Sequence, residues 1–384
     1  MSSTGKKQIL IAGGGLGGLA AAVALLQRGF QAEVFEKAPE LREIGAGLSV
    51  WPNATRVLRD LGLLDEALRE SALIDLLRLC TWRGRQLTAF SAVAKCGTPT
   101  ICILRADLMT ILKSHVPSEY IHVSERLVGF EEVQEKVTAR FASGRRFMGD
   151  ALIGADGIES TVRVHILGDA RPTYRGYQAW RGVAGCAIGL QSRDTACEFW
   201  GHGKRVGVMP LSRGRTYWYA SVNAPQGTLG DPPGWKEEAR SLFHDWASPI
   251  PELIDATDPA AIVKHEIEDR PPVRSWGSGR VTLLGDAAHL TTPNLGQGAC
   301  MALEDAEVLA RTLSEHGGDV LAGLRRYESL RYARTAFLTR EAAWLGWAGQ
   351  LENRFAVALR TCALWLTPSF FSEMRQRQYY SAEN

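Results

Sequence analysis

The sequence predicts an α/β protein in which a doubly wound parallel sheet is interrupted by an antiparallel-sheet domain and closed by a helical C-terminus. Three observations support this. An apolar run, a glycine turn and an alanine-rich helical stretch open the chain over residues 8–28. Short aromatic and β-branched runs occupy residues 171–230, and helical periodicity dominates from Val320 onward. Residues 8–12 read as the first strand and residues 15–28 as the first helix, which Gly29 stops. Residues 32–36 (AEVFE) read as the second strand. In the middle, YQAWRGVAG, CEFWG, RVGVMPL and TYWYASV are separated by Gly, Pro and Asn. That pattern suits antiparallel strands with one buried face and one face free to line a pocket. A strand signal returns near Arg280, followed by helix over 297–313. A long helical stretch then runs from Val320 to about Leu366, with Pro368 as its stop. The expected division is residues 1–75, 99–170 and 271–345 for the parallel-sheet domain, 76–98 and 171–270 for the second domain, and 346–384 for a helical tail.

The first turn carries chemistry. Gly13, Gly15 and Gly18 fit G-x-G-x-x-G between a strand and a helix. The first glycine permits the tight turn, and the second lets a pyrophosphate approach the backbone. The third allows close helix–strand packing, and the helix N-terminus faces the phosphates. Glu36 ends the second strand at the distance expected of a ribose-binding acid. A carboxylate there bonds ribose hydroxyls and repels a 2′-phosphate, which favours FAD or NAD over NADP. The motif alone does not choose between those two, and a purely structural glycine turn is the competing reading.

Two further turns add specificity. Residues 150–163 read DALIGADGIESTVR and residues 280–301 read RVTLLGDAAHLTTPNLGQGACM. Each alone is explained by a strand-end turn with a helix cap. In this order and spacing, with the first motif, they are more informative. Here the chain resembles the single-component FAD-dependent aromatic hydroxylases, the p-hydroxybenzoate and salicylate hydroxylase family. It is similar above all to the 3-hydroxybenzoate 6-hydroxylase, urate hydroxylase and zeaxanthin epoxidase branches, over residues 9–334.

The resemblance implies a p-hydroxybenzoate hydroxylase-like fold with a Rossmann-like FAD-binding domain interrupted by a substrate domain. Cofactor contacts would come from Gly13, Gly15, Leu16, Gly18, Glu36, Lys37, Arg42, Arg105 and Leu127. Asp156 and Gly157 would follow from the second motif, and Asp286 from the third, holding the ribityl chain. Pro293, Gly296, Gln297 and Gly298 would pass beside the flavin ring. Glycines in N-L-G-Q-G leave backbone N–H groups free to reach a flat ring. A helix starting near Gln297 would aim its positive end at the region where charge gathers on reduction.

The resemblance further implies reduction of FAD by NADH or NADPH, reaction with O2, and oxygen transfer through a flavin C4a-hydroperoxide to a small aromatic, phenolic or heteroaromatic substrate. Such chemistry asks for a dry cavity and an activated substrate. Candidate walls are Trp200, Tyr217, Trp218, Tyr219, Val208, Met209 and Pro293. On a strand, Tyr217 and Tyr219 share a face opposite Trp218. Tyr217, Arg205 and Pro293 are the candidate catalytic residues. Tyr217 would orient or deprotonate a substrate hydroxyl, against the alternative of a tyrosine packed in a core. Arg205 and His202 either meet an acidic substrate or sit as solvated strand-end residues, and His289 reads as a loop-packing histidine. Where urate-type relatives carry an acid after the proline of T-T-P, this chain has Asn294, a departure that speaks against urate.

Composition narrows the remaining classes. The chain has 384 residues, 45% hydrophobic and 22% charged, with 44 basic against 42 acidic side chains. It is too apolar for disorder, and it lacks the basic excess of a nucleic-acid binder. Seven cysteines, an odd number without C-x-x-C, argue against a disulfide framework, a zinc or other metal site and a dithiol redox centre. Reduced thiols in a cytoplasmic monomer or homodimer are expected. No secretory signal is readable at residues 1–8. The aromatic stretch 355–371 contains Arg360 and Pro368, so it is expected to pack on the body of the protein without membrane contact. Competing functions are an epoxidase of a hydrophobic natural product, an NAD-dependent dehydrogenase and a non-catalytic flavoprotein. The dehydrogenase leaves residues 286–298 unexplained.

Overall fold

The computed structural model describes residues 6–41, 46–92, 97–168, 171–186, 194–367, 374–375 and 378–380. The strand Gln8–Ala12, buried beyond its first residue, lies inside a six-stranded sheet. It pairs parallel with Gln31–Phe35 on one side and with Ala151–Gly154 on the other. Val281–Leu283 adds parallel beyond that. Their register is in step: Ala12 lies beside Gly154, and Gly154 beside Leu283. All three strands therefore end together, and the three glycine turns, two of them carrying an aspartate, meet along the carboxyl edge of one sheet, where open α/β sheets bind ligands.

The helix Leu16–Gln27 packs on this sheet through a nearly continuous apolar surface. Its small residues permit close contact. A Cβ at Gly17 would stand 2.6 Å from the Leu284 side chain, and one at Gly18 only 2.0 Å from the Gly13 carbonyl. Across it lies the helix Gly298–Glu315, and beyond that the long helix Val320–Gly349.

A seven-stranded sheet takes Leu76–Thr81 and Gln86–Ser91 from the first part of the chain and five strands between Thr173 and Asp269. Its pairs are antiparallel except one: Thr195–Trp200 runs parallel to Leu76–Thr81, so the sheet is mixed and not purely antiparallel as expected. Alternation along Thr216–Asn223 sorts its two faces. Trp218, Ala220 and Val222 enter a core with Trp180, Phe243 and Trp246 beneath the helices Trp235–Phe243 and Ile250–Asp255. Each large side chain buried there contributes about 1.5–3 kcal/mol. The other face looks back at the six-stranded sheet.

The C-terminal helix expected from 320 to about 366 is two helices. Val320–Gly349 ends at Gln350, and Arg354–Leu366 restarts after Asn353, whose side chain accepts from the Phe355 and Ala356 N–H groups. The asparagine N-cap is the signal that continuous periodicity obscured. Pro368 lies outside the described residues.

Candidate active site

Between the two sheets lies a cavity of about 1160 Å³ that reaches from the glycine turns to the C-terminal helices. Its size exceeds a typical small-ligand pocket and suits a dinucleotide together with a second molecule.

The first turn separates its glycines by role. Gly13 has φ of 108°, and a Cβ there would collide with the Ala155 carbonyl at 2.3 Å. Gly18 is fixed by its contact with Gly13. Gly15 has nothing within 4 Å of a hypothetical Cβ, so its open side faces the cavity. Glu36 is held at its strand end by N–H groups of Gly14 at 2.8 Å and Ala38 at 2.9 Å. Leu16, Lys37, Arg105 and Leu127 line the same end of the cavity. Arg42 lies outside the described residues.

The second turn does double duty. The Asp156 carboxylate accepts from the Thr161 N–H at 2.7 Å and the Val162 N–H at 3.2 Å, capping the helix Thr161–Leu167. Burial pushes its pKa up, although the Ser160 hydroxyl and these backbone bonds favour the charged form. Asp156 and Gly157 also line the cavity. The cap reading and the site reading therefore coexist. Asp286 differs: it is exposed on the cavity wall and makes no hydrogen bond among the described residues.

Behind the third turn stands a buried charge network. Asp305 accepts from the Gly285 N–H at 3.0 Å, from Arg331 Nε at 2.6 Å, and contacts His289 Nε2 at 2.6 Å. Burial opposes its charge, but His289 and Arg331 outweigh that and hold its pKa down at about 2. Glu304 is clamped by Arg334 through contacts of 2.7 and 2.6 Å and accepts from Asn53 at 2.8 Å. Asn53 also donates to Gln297 Oε1 at 3.0 Å. The chain of contacts thus fixes the residue that precedes the helix Gly298–Glu315. Arg163 crosses between turns, donating to the Ala287 and Ala288 carbonyls at 2.8 and 3.0 Å. Sequence reasoning missed Asn53, Arg163, Glu304, Asp305, Arg331 and Arg334, whereas His289 packs in the loop as expected. The visible trace was an acid pair, Glu304–Asp305, inside an apolar helical run, with Arg331 and Arg334 spaced to face it.

A test of cofactor fit comes from polar atoms without partners. Gln297 does not line the cavity and turns its side-chain oxygen to Asn53, whereas the Thr291 hydroxyl and the Trp51 indole nitrogen are buried at the cavity wall and make no hydrogen bond among the described residues. With the open side of Gly15 and the free Asp286 carboxylate, they form a string of waiting donors and acceptors along the cavity. These residues fit FAD.

The opposite wall is side-chain chemistry. Tyr217, Tyr219, Met209 and Trp200 line the cavity, as does Pro293. Trp218 and Val208 do not: both point into the core behind the sheet, and Trp218 donates its indole N–H to Thr257 at 2.8 Å. Tyr217 packs against Gly47, where a Cβ would stand 2.3 Å from its ring. Burial raises the Tyr217 pKa, with Arg181 opposing. Arg205 is not a solvated strand-end residue. It is 2% exposed and donates to Gln350 Oε1 at 3.0 Å, to Glu198 at 3.3 Å and to Asn294 Oδ1. Asn294 in turn reaches the Tyr177 hydroxyl at 2.9 Å and the Ala342 carbonyl at 2.9 Å. His202 is exposed, with one contact to the Glu352 carbonyl at 3.4 Å. His289 is buried against Asp305.

The relatives of this chain include FAD-dependent oxygenases. The FAD binding domain family profile matches residues 6–342. The chain is 39% identical over 373 residues to the aurachin C monooxygenase/isomerase of Stigmatella aurantiaca, covering 96% of this chain and 97% of that protein. It is 36% identical to the FAD-dependent urate hydroxylase of Klebsiella pneumoniae subsp. pneumoniae, over 87% and 88% of the two chains. The crystal structure of Klebsiella pneumoniae HpxO complexed with FAD and uric acid superposes with a TM-score of 0.92 at 32% identity, covering 97% of this chain and 96% of that one.

Proposed function

The chain belongs to the FAD binding domain family and is an FAD-dependent monooxygenase. From that premise we propose that it hydroxylates a small phenolic or heteroaromatic compound with O2 and NAD(P)H. In balance, substrate C–H, O2, NAD(P)H and a proton give substrate C–OH, water and NAD(P)+. FAD supplies the redox chemistry, taking electrons from the nicotinamide and passing one oxygen atom onward. The single observation that carries this reading is the meeting of the three glycine turns, two of them with an aspartate, at one sheet edge facing a cavity large enough for two ligands.

In this reading Gly15, Glu36, Arg105 and Asp156 hold the dinucleotide end, and Asp286 and the backbone of Gly296–Gly298 hold the chain and ring. Residues 1–75, 99–170 and 271–345 then form the cofactor domain and 76–98 and 171–270 the substrate domain. Pro293 and Tyr217 flank the substrate. Tyr217 acts by donating its hydroxyl proton in a hydrogen bond. Its raised pKa keeps it protonated at neutral pH, which suits a donor and disfavours a base. Arg205 acts as a positioning residue, holding Asn294 and lending positive potential to the substrate end. Asn294 offers no carboxylate, which supports a substrate that brings its own acidic hydroxyl over urate.

The test is spectroscopic. Purified protein is expected to show oxidised-flavin bands and to release FAD on denaturation. Phenols, pyridinols or quinolones should stimulate its NAD(P)H oxidation together with O2 uptake. A folded, colourless protein that takes up no FAD would sink the reading.

A further inference from the structure

The helix Arg354–Leu366 wears its apolar side outward. Phe355, Leu359, Cys362 and Leu366, at helical spacings of four, three and four, form one stripe. Their neighbours Ala358 and Trp365 are exposed too. Phe355 is 86% exposed, Leu359 73%, Leu366 70% and Trp365 57%. Among the described residues of this helix, only Val357 is buried. The inward side of the helix is mixed: Val357 is buried, Leu364 packs against Leu79, Leu87 and Trp200, and Arg360 lies between them. Arg360 donates to the carbonyls of Ala348 at 3.1 Å, Gly349 at 3.0 Å and Gly201 at 2.9 Å, and its guanidinium lies 5.1 Å from the Trp200 ring. Rotating the helix to hide the stripe would break all three hydrogen bonds. Trp344 and Trp347 on the long helix extend the apolar surface. Exposed apolar patches of this kind are interaction surfaces.

Three features choose the partner. The helix has no acidic residue, and Arg354 stands at its start. The Arg85 guanidinium lies 5.5 Å from the Trp365 ring, and the Arg375 guanidinium 5.0 Å from the Trp344 ring. Cations and tryptophans thus rim an apolar centre, the composition of a helix lying in a bilayer interface. Glu341 is neutralised by Arg375 at 2.9 Å, which leaves Arg85 and Arg354 as the uncompensated rim cations among the described residues, while Glu352 is turned to the Asn223 amide at 2.8 Å. Finally, Trp344, Trp347 and Leu359 belong both to this surface and to the wall of the active-site cavity, so the cavity opens within the patch. A second copy seated here by two-fold symmetry would oppose like charges and shut that opening. No helix among the described residues is long and apolar enough to cross a membrane.

We propose that this face docks peripherally on an anionic phospholipid surface, setting the cavity mouth against the bilayer. An apolar aromatic substrate dissolved in lipid then enters without crossing water. That last consequence rests on the monooxygenase reading, whereas the docking itself does not.

The experiment is co-sedimentation of the FAD-loaded full chain with phosphatidylcholine vesicles, with and without phosphatidylglycerol. Binding is expected to strengthen about fivefold for each basic side chain engaged when anionic lipid is present, and to weaken with salt. The double variant Phe355→Glu/Leu366→Glu changes residues outside the cavity wall. It should lose binding by about tenfold or more per site while oxidising NAD(P)H with a water-soluble phenol as before. Absence of wild-type binding, or equal binding by the double variant, overturns the docking. So does sedimentation velocity showing a dimer that the double variant abolishes, which would give the face to a second copy. A protein without flavin that still binds vesicles would overturn the oxygenase reading and leave the docking standing.

Discussion

On the flavin wall of the cavity, Gly13, Gly15 and Gly18 act through backbone conformation and the absence of side chains, within the turn and first helical residues that follow one strand. On the opposite wall, Arg205, Asn294, Gln350 and Tyr177 act through side chains drawn from four separate stretches of chain. The first wall follows local rules that a short motif can state. The second depends on which residues the tertiary fold brings together. The first wall also has a foundation of its own, since Asp305, Glu304, Arg331 and Arg334 lie buried directly behind it. Strengthening or breaking each wall in turn tests whether this division is real.

The largest effect is expected from the foundation. Asp305→Asn removes the charge that faces Arg331 and His289 in a fully buried setting. Losing one partner of such a pair costs about 3–5 kcal/mol. Urea unfolding should show that loss, and flavin retention should fall with it, because one amide oxygen cannot serve both Arg331 and the Gly285 N–H as the two carboxylate oxygens do. The same residue sets an acid limit. Its folded pKa of about 2 lies below the ordinary value of 3.8, so its stabilisation is complete above pH 4. It declines as pH falls toward 2, by about 2 kcal/mol in total. Wild-type stability should drop across that window, and the variant's should drop less. Matching acid profiles would mean that the charge network does not underwrite the flavin wall.

The sequence disclosed the two walls unequally. Strand-end glycines are legible because positive φ and close approach leave a compositional mark, so all three turns could be anticipated, while their common sheet edge came from the strand register. The first strand, first helix and second strand were equally plain. Arg205 was misjudged because a strand-end arginine is normally solvated. Its burial depends on Gln350 and Asn294, respectively 145 and 89 residues away in sequence. Trp218 and Val208 were placed among candidate walls although strict alternation already assigned Trp218 to the other face. The stretch 355–371 was expected to pack on the body of the protein, and its described part does so through Val357, Arg360 and Leu364. Which face stays outside is set by the anchoring of Arg360 to carbonyls of another helix and a sheet turn, which leaves Phe355, Leu359 and Leu366 exposed.

A smaller effect should separate side-chain identity from motif on the second wall. Asn294→Asp would install the acid found at this place in urate-type proteins. The amide nitrogen it replaces donates toward the Ala342 carbonyl and lies within 2.9 Å of the Tyr177 hydroxyl. A carboxylate oxygen facing that carbonyl loses a hydrogen bond and gains repulsion, while its other oxygen keeps Arg205. The net cost is about 1–2 kcal/mol. A fall in Tm without loss of bound flavin is expected. A stabilised variant would show that the surroundings of Asn294 are already arranged for an acid, and would reopen urate as a substrate.

The smallest structural effect, and the sharpest contrast, belongs to Gly15. A methyl group there meets nothing within 4 Å, whereas at Gly18 it would meet the Gly13 carbonyl at 2.0 Å. Gly15→Ala should therefore leave unfolding free energy within about 0.5 kcal/mol of wild type. The space it occupies is nonetheless on the cavity side of the first turn, where the reading of the motif puts a pyrophosphate against the backbone. FAD should dissociate more readily from this variant on dilution, read by recovery of free-flavin fluorescence. Gly18→Ala should instead lose stability and flavin together. If Gly15→Ala retains flavin as tightly as wild type, the open side of the turn is spare volume, and the wall is fixed by Glu36, Asp286 and the helix termini alone.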